Sequence, residues 1–319
     1  MMWRFIREKL EAGMPVMLLA VVDRRGSSPG KQGFKMAVSS DGGLAGSVGG
    51  GVMEYQMVEL ARKMLAEGSR QPVLKRQVHD PAAPEDKSGL ICSGEQTHAF
   101  IPLERKDVET VGQLCESAEG VRAGWIELGP GGLSCRPDGD DGIVWEKTSD
   151  NAWKYLEPAG KTPKLYIFGG GHLSVPVSQV SVMLGFRVIV LDDREGLNTM
   201  ESNIFAHEKR LVNYKQAGSE FKGDEETYVV IMTVSHATDQ LILSQMLDKP
   251  LKYLGMIGSR KKVQKIFESL RLGGATDEQL SRVDSPMGLP LGGHTPAEIA
   301  VSIAARIIQV KNTQTRVRN

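Results

Sequence analysis

The tract KLYIFGGGHLSVPVSQVSVMLGFRVIVLDDRE, residues 164–195, has the residue types and spacing of a phosphate-holding turn. Gly169 allows a tight passage from strand to helix. Gly170 and Gly171 follow, and the missing side chain at Gly171 lets the backbone come close to an anion. The helix entered after His172 would offer unpaired N–H groups and the positive end of its dipole. Asp192 and Asp193 close the second strand about 20 residues on, where an acid hydrogen-bonds a ribose in a dinucleotide site. The third glycine position of that fingerprint is Ser174, small enough to keep helix and sheet in contact. The pattern predicts a nucleotide-like or phosphate-bearing ligand without specifying a redox reaction. The alternative is a fold of this kind whose site is vestigial.

Four further stretches could carry chemistry. In GMIGSRKK, residues 255–262, a strand ends at Gly258, Ser259 is placed to cap a helix, and Arg260, Lys261 and Lys262 open it. Cations at a helix N-terminus oppose the dipole, each by a few tenths of a kcal/mol or more. Three in a row are explained by an anion among them or by plain solvation. In TVSHATD, residues 233–239, His236 and Asp239 are three apart and could form an acid–base pair or only a local hydrogen bond. In GSVGGGVMEYQ, Gly49, Gly50 and Gly51 lead into a helix with Glu54 in its first turn, which reads as an anion loop or as a simple turn. In LICSGEQ, Cys92 sits in a glycine-flanked turn where a thiol could be reached, whereas Cys115 lies on the apolar side of a helix and reads as structural. No cysteine spacing matches a zinc site, and no residue is assigned as catalytic or as a metal ligand.

These turns need elements to hold them. MMWRFIREKLEAG reads as an amphipathic helix and MPVMLLAVVDR as a buried strand. FKMAVS with SDGG reads as a hairpin within a glycine- and serine-rich stretch, residues 25–51. The helix VMEYQMVELARKMLAEG puts Met53, Met57, Leu60 and Met64 on one face, a core pattern. PVLKRQV and THAFIPLE follow as strands, DVETVGQLCESAEG as a helix, and VRAGWIEL, GLSCRP and DGIVWE as short strands. From Leu165 the rhythm becomes strand, helix, strand, with apolar runs that do not alternate, as in strands covered on both faces. HTPAEIAVSIAARIIQV closes the series, with Thr295 as N-cap, Pro296 at the first helical position and Glu298 completing a capping box. The fold class expected is α/β: a C-terminal Rossmann-like, doubly wound parallel sheet at 164–319, preceded by an α+β domain at 1–150, with a polar linker at 151–163.

Composition narrows the partners. The chain has 319 residues, 40 % of them apolar and 24 % charged, an ordinary globular balance for two domains. Lys plus Arg and Asp plus Glu number 39 each, which argues against nucleic acid or an anionic membrane as partner. No apolar run approaches the roughly 20 residues of a membrane span. Residues 1–11 lack the pattern of a signal peptide. Three cysteines with no CxxC pair suggest a cytoplasmic protein without a disulfide framework.

With these segments in hand, the chain resembles the XdhC/CoxI family over nearly its whole length. RGSSPG, GSVGGGVME and CSGEQ in the first half are similar to the family's motifs. LYIFGGGHLSVPV, GFRVIVLDDRE, VIMTVSHATDQLIL, YLGMIGSRKK and PMGLPLGGHTPAEIAVSIAARI follow in family order. The resemblance implies a chaperone for the molybdenum cofactor, one that protects the cofactor, assists exchange of an oxo for a sulfido ligand, and inserts it into an apo xanthine dehydrogenase-type hydroxylase. It also implies a role in purine catabolism, a homodimer, and a cysteine desulfurase as a further partner. Cys92 matches the family's glycine-flanked cysteine, Gly169, Gly171 and His172 its GxGH turn, and Gly258, Ser259 and Arg260 its GSR turn. Three positions depart: Ser174, Ser93, and Val234 where the family's T-H-x-H has its first histidine, leaving only His236. The rival reading is an NAD(P)-dependent oxidoreductase, favoured by Asp192 and lacking an evident catalytic set. A scaffold that only docks the client is a third.

Overall fold

Helix α1 (Met2–Glu11) forms where Trp3, Ile6 and Leu10 recur at helical spacing, and all three are buried. The computed structural model describes residues 2–79, 94–139 and 142–313. The chain falls into two units, Met1–Lys161 and Thr162–Asn319. In the first, β1 (Val16–Arg25) runs through seven consecutive buried residues, Val16 to Val22. It pairs antiparallel with β2 (Lys35–Ser39), which turns into β3 (Leu44–Gly46) as the hairpin reading expects. Helix α2 (Gly51–Ala66) and strands β4 (Val73–Val78) and β5 (Glu95–Leu103) complete a five-stranded sheet in the order β3-β2-β1-β5-β4. Met53, Met57 and Met64 of α2 pack against Met17, Leu19 and Phe100 on one face of this sheet, so the methionine stripe is core.

The other face carries α1, α3 (Val108–Ala118) and a second antiparallel sheet. That sheet is built from β6 (Trp125–Gly129), β7 (Gly132–Arg136), β8 (Val144–Ser149) and β9 (Ala152–Pro158), in the order β7-β6-β9-β8. Cys115 is buried in this core and its thiol is pushed up by that burial, in keeping with a structural role. Strand β9 occupies most of the segment read as a linker. Trp153, Tyr155 and Leu156 are buried there, and Glu157 is buried with them. Lys35 of β2 forms an ion pair with Glu157 with only 10 % and 9 % of the side chains exposed, and the Tyr155 hydroxyl donates to Glu157 at 2.5 Å. A strand whose charges are neutralised by a neighbouring sheet has the composition of a linker, and the division falls later, after Lys161.

The second unit is a six-stranded sheet with every recorded pairing parallel. Its elements are β10 (Lys164–Phe168), α4 (Ser174–Met183), β11 (Arg187–Asp192), α5 (Asn198–Glu201), β12 (Glu208–Leu211), β13 (Thr227–Ile231), α6 (His236–Met246), β14 (Tyr253–Met256), α7 (Arg260–Leu272), α8 (Asp277–Ser281), β15 (Val283–Asp284) and α9 (Pro296–Thr313). The order β12-β11-β10-β13-β14-β15 is the doubly wound 3-2-1-4-5-6 arrangement when counted within this sheet. Helices α6 and α7 cover one face through Ile242, Leu243, Val263 and Ile266, and α4 and α9 cover the other through Val177, Ala300 and Ile303. The cap of α9 forms as its sequence specifies: Thr295 Oγ1 accepts from Glu298 N at 3.3 Å, and Thr295 N donates to Glu298 Oε2 at 2.9 Å. Among the described residues no helix is long and apolar enough to cross a membrane.

Candidate functional site

Parallel strands bring their following turns to one edge. The turns after β10, β11, β13 and β14 therefore share the carboxyl edge of the sheet, with the order reversing between β10 and β13. This edge gathers Gly169, Gly170, Gly171, His172, Asp192, Asp193, His236, Gly258, Ser259 and Arg260. The turns at 169–172 and 258–260 stand two strand spacings apart, about 10 Å. Gly49, Gly50, Gly51 and Glu54 belong to the first unit. Cys92 lies outside the described residues.

The glycine turn after β10 is held from several sides. Gly169 has φ of 114°, and a Cβ there would lie 2.4 Å from the Met232 carbonyl oxygen, so the strand-to-helix passage requires glycine. Asp192 is buried, and its Oδ2 accepts from Gly170 N at 2.7 Å while Oδ1 accepts from Arg194 N at 3.0 Å. The Arg194 guanidinium grips both oxygens at 2.8 Å. Burial pushes the Asp192 carboxyl up, but the Arg194 guanidinium and the backbone N–H groups outweigh it and hold the group below its ordinary value. The dinucleotide pattern places Asp192 where a ribose would sit, and here the carboxylate turns inward to the buried N–H beside it and clamps its own loop. Asp193 is exposed. Thr199 Oγ1 donates to the Gly170 carbonyl at 2.6 Å, and Ser174 donates its hydroxyl to the Gly171 carbonyl at 2.7 Å, so the serine in the third glycine position is a buried, satisfied lock. Gly171 faces open space: among the described residues, nothing beyond its own chain neighbours comes within 4 Å of an added Cβ.

The turn after β13 departs from the expected acid–base pair. Asp239 is fully buried and accepts from Thr233 N at 3.0 Å and Thr233 Oγ1 at 2.6 Å. Its second oxygen takes Lys262 Nζ of α7 at 2.5 Å, with 12 % of the lysine side chain exposed. His236 is exposed at the start of α6 and is not bonded to Asp239. Lys262, read as one of three phosphate cations, is thus committed to a buried carboxylate that fastens α7 to α6. Ser235 Oγ accepts from Thr238 N at 3.1 Å and Ser259 Oγ from Lys262 N at 3.3 Å, so both helices begin with the caps their sequences specify.

Between these two helix starts lies a cavity of about 430 Å³. Its wall includes His236 and Ala237 of α6 and Ser259, Lys261, Lys262 and Lys265 of the α7 side, with Ile266 beneath. Lys261 and Lys265 are exposed, and neither makes a hydrogen bond or ion pair among the described residues. Arg260, the first of the three cations that open α7, does not line this cavity. Lys265 was not anticipated, although its spacing of four from Lys261 puts both on one helical face.

The loop of the first unit is occupied by its own side chain. Glu54 Oε2 accepts from Ser47 Oγ at 2.6 Å, Val48 N at 2.8 Å and Gly50 N at 3.0 Å. Partial burial pushes this carboxyl up, and the hydrogen bonds outweigh it and hold it below its ordinary value. Glu54 therefore fills the anion position that Gly49–Gly51 would offer to a ligand. Around it the three glycine-rich segments meet. A Cβ on Gly49 would lie 2.6 Å from Gly30 N, and one on Gly94 2.0 Å from the Ser27 carbonyl oxygen. Gln96 Nε2 donates to the Gly30 carbonyl at 3.0 Å, and its carbonyl oxygen meets buried His79 at 3.1 Å. Sequence reading overlooked Gln96, His79 and His98, all buried, because they sit in strands or beside one and share no motif.

A model of the XdhC Rossmann domain matches residues 165–307, and a model of the XdhC and CoxI family matches residues 9–76. An uncharacterized protein of Escherichia coli (strain K12), YqeB, is 27 % identical over 306 residues, covering 95 % of this chain and 44 % of that protein. A protein of Bacillus subtilis (strain 168) described as a probable xanthine dehydrogenase component is 30 % identical over 169 residues, 52 % of this chain and 48 % of that protein. The chain thus spans about half the length of these curated relatives. A crystal structure described as a xanthine dehydrogenase from Bacillus halodurans has the same fold, with a TM-score of 0.75, 23 % identity, and coverage of 100 % of this chain and 97 % of that one.

Proposed function

The chain belongs to the XdhC and CoxI family, each of its two units carrying one of that family's domain models, and from this premise we propose that it serves the maturation of a xanthine dehydrogenase-type molybdenum hydroxylase. Its cargo is the molybdenum cofactor, which it holds, shields during exchange of an oxo for a sulfido ligand, and passes to the apo-hydroxylase. A cysteine desulfurase is the natural sulfur donor for that exchange. The observation that carries the reading is the family match on both sides of the division at Lys161, joined to an open, cationic carboxyl edge in the second unit. The cargo ends in a phosphate, and an edge whose lysines are unpaired among the described residues, beside helix N–H groups, suits such a group.

The dinucleotide reading is weakened by one contact set. Both oxygens of Asp192 are engaged by Gly170 and Arg194, so the acid that would take a ribose hydroxyl is already used. Mass analysis of ligands released from chain purified anaerobically from molybdate-fed cells separates the readings. Oxidised pterin fluorescence, together with activation of apo-hydroxylase on mixing, is the expected outcome. Nicotinamide absorbance would favour the oxidoreductase, and protein carrying neither would favour a scaffold.

A further inference from the structure

We infer that the cavity between the starts of α6 and α7 is a phosphoryl-binding site, and that Lys261 and Lys265, not the Gly169 turn, supply its charge. This rests on the maturation reading and deepens it by assigning the anionic end of the ligand to a particular place.

Three features converge on the same 430 Å³ of space. The first is charge. Lys261 and Lys265 are four residues apart, so their side chains stand over one another on one face of α7, where like charges destabilise a helix. Neither has a carboxylate partner among the described residues. The nearest buried acid, Asp239, is already neutralised by Lys262. The wall therefore carries two uncompensated cations, with His236 opposite on α6.

The second is the backbone. Helices α6 and α7 have 11 and 13 residues, and their first N–H groups have no intrahelical acceptor. Ser235 and Ser259 each satisfy one donor, at Thr238 and Lys262. The donors of His236 and Ala237, and of Arg260 and Lys261, remain at the two helix starts, and three of these four residues line the cavity. Two positive dipole ends thus meet in one place.

The third is rigidity. The Lys262–Asp239 pair, with Thr233 on the other carboxylate oxygen, ties the two helix starts together on one face of the sheet. Their separation is set before a ligand arrives, which lowers the cost of binding. Lys262 is in this sense a positioning residue. The Gly169 turn offers less, because Gly170 N is already bonded to Asp192.

The probes are inorganic pyrophosphate, inorganic phosphate, adenosine monophosphate and NAD, titrated calorimetrically into the full chain at 0.15 M salt, where exposed charges are screened beyond about 8 Å. Pyrophosphate is expected to bind the native chain. The double variant Lys261→Ala/Lys265→Ala should lose at least tenfold in affinity at an unchanged melting temperature, and Lys215→Ala, an exposed lysine elsewhere in the unit, should lose nothing. Adenosine monophosphate binding no tighter than phosphate identifies the phosphoryl group alone as the recognised feature. Tighter binding that falls by the same factor in the double variant identifies a nucleotide in the same site. NAD or pyrophosphate affinity that does not respond to the double variant overturns the assignment, as does failure of the native chain to bind pyrophosphate. The two readings fail separately: pyrophosphate binding by protein that never carries pterin defeats the maturation role alone. A pterin-carrying chain whose pyrophosphate affinity ignores the double variant defeats this site alone.

Discussion

The glycine loop before α2 and the turn before α7 look alike as sequence, each a small-residue stretch entering a helix beside charge. They differ in what has been done with their donors. In the first, Glu54 folds back and takes the N–H groups of Val48 and Gly50 with the Ser47 hydroxyl. In the second, Ser259 takes one N–H and the acid that could have neutralised the turn, Asp239, is held by Lys262. The first loop is a closed structural joint and the second an open, positively charged mouth. A glycine-rich helix entry becomes a site only when its own side chains leave donors and cations unpaired.

The contrast can be broken most forcefully at Lys262. Lys262→Ala leaves a fully buried carboxylate with Thr233 alone, and we expect a loss of about 3 kcal/mol. That corresponds to a fall on the order of 10 °C in the melting temperature of the second unit. Lys261→Ala and Lys265→Ala should each shift it by no more than about 2 °C, since neither is paired among the described residues. Equal losses for all three lysines would mean that the division between a fastening cation and ligand-facing cations is wrong.

The first unit should respond to acid instead. His98 of β5 lies fully buried between Val21 and Lys75. Burial pushes it down from 6.5 to about 4, and neighbouring His79, itself lowered by burial, adds to this. Between those values the unfolded chain binds a proton that the native chain does not, so stability is full above pH 6.5 and declines as pH falls toward 4. The decline amounts to about 3 kcal/mol. Denaturant melts of His98→Leu across this range should show a visibly flatter slope than the native chain. An unchanged slope would assign the acid sensitivity to other groups.

A smaller effect tests the closed loop. Glu54→Ala removes a charged acceptor serving three donors and should cost about 2 kcal/mol. Part of that loss should return on adding phosphate or sulfate, which can enter the emptied nest. Native protein should gain nothing at this loop. A Glu54→Ala chain as stable as the native would show that the glycines hold their shape unaided.

Much of this was legible in advance. Long apolar runs such as Val16–Val22 and the strands from Leu165 onward announce themselves, and so does the capping box at Thr295. Strand β9 did not, because Lys35 neutralises Glu157 from another sheet, and pairing between distant residues has no local signature. Strands β12 and β15, four and two residues long at the sheet edges, are too short to show a period. Within the site, the turns and caps could be read from residue types. The direction in which a carboxylate points could not: residue types left Asp192, Asp239 and Glu54 open between a ligand and a local bond, and each is bound to its own protein. Lys265 was within reach, since its spacing from Lys261 marks the shared face.

The smallest expected effect concerns Arg260. By charge and position it is the natural anion contact, first in its helix and next to a capping serine. Helical geometry argues otherwise. At about 100° per residue, Lys261, Lys262, Lys265 and Ile266 occupy one arc of α7, and Arg260 points about 170° from its centre. A cation on that side gains little from a ligand in the cavity and opposes the dipole by a few tenths of a kcal/mol. Arg260→Ala should therefore leave pyrophosphate affinity within about twofold, as expected for a cation on the far side of the helix from the cavity. It should also leave the melting temperature equal or slightly higher, because the dipole repulsion is relieved. Calorimetry on this variant beside Lys261→Ala/Lys265→Ala reads both sides of the helix at once. A tenfold loss in Arg260→Ala would extend the site around the helix start and remove the distinction between the two faces on which the assignment rests.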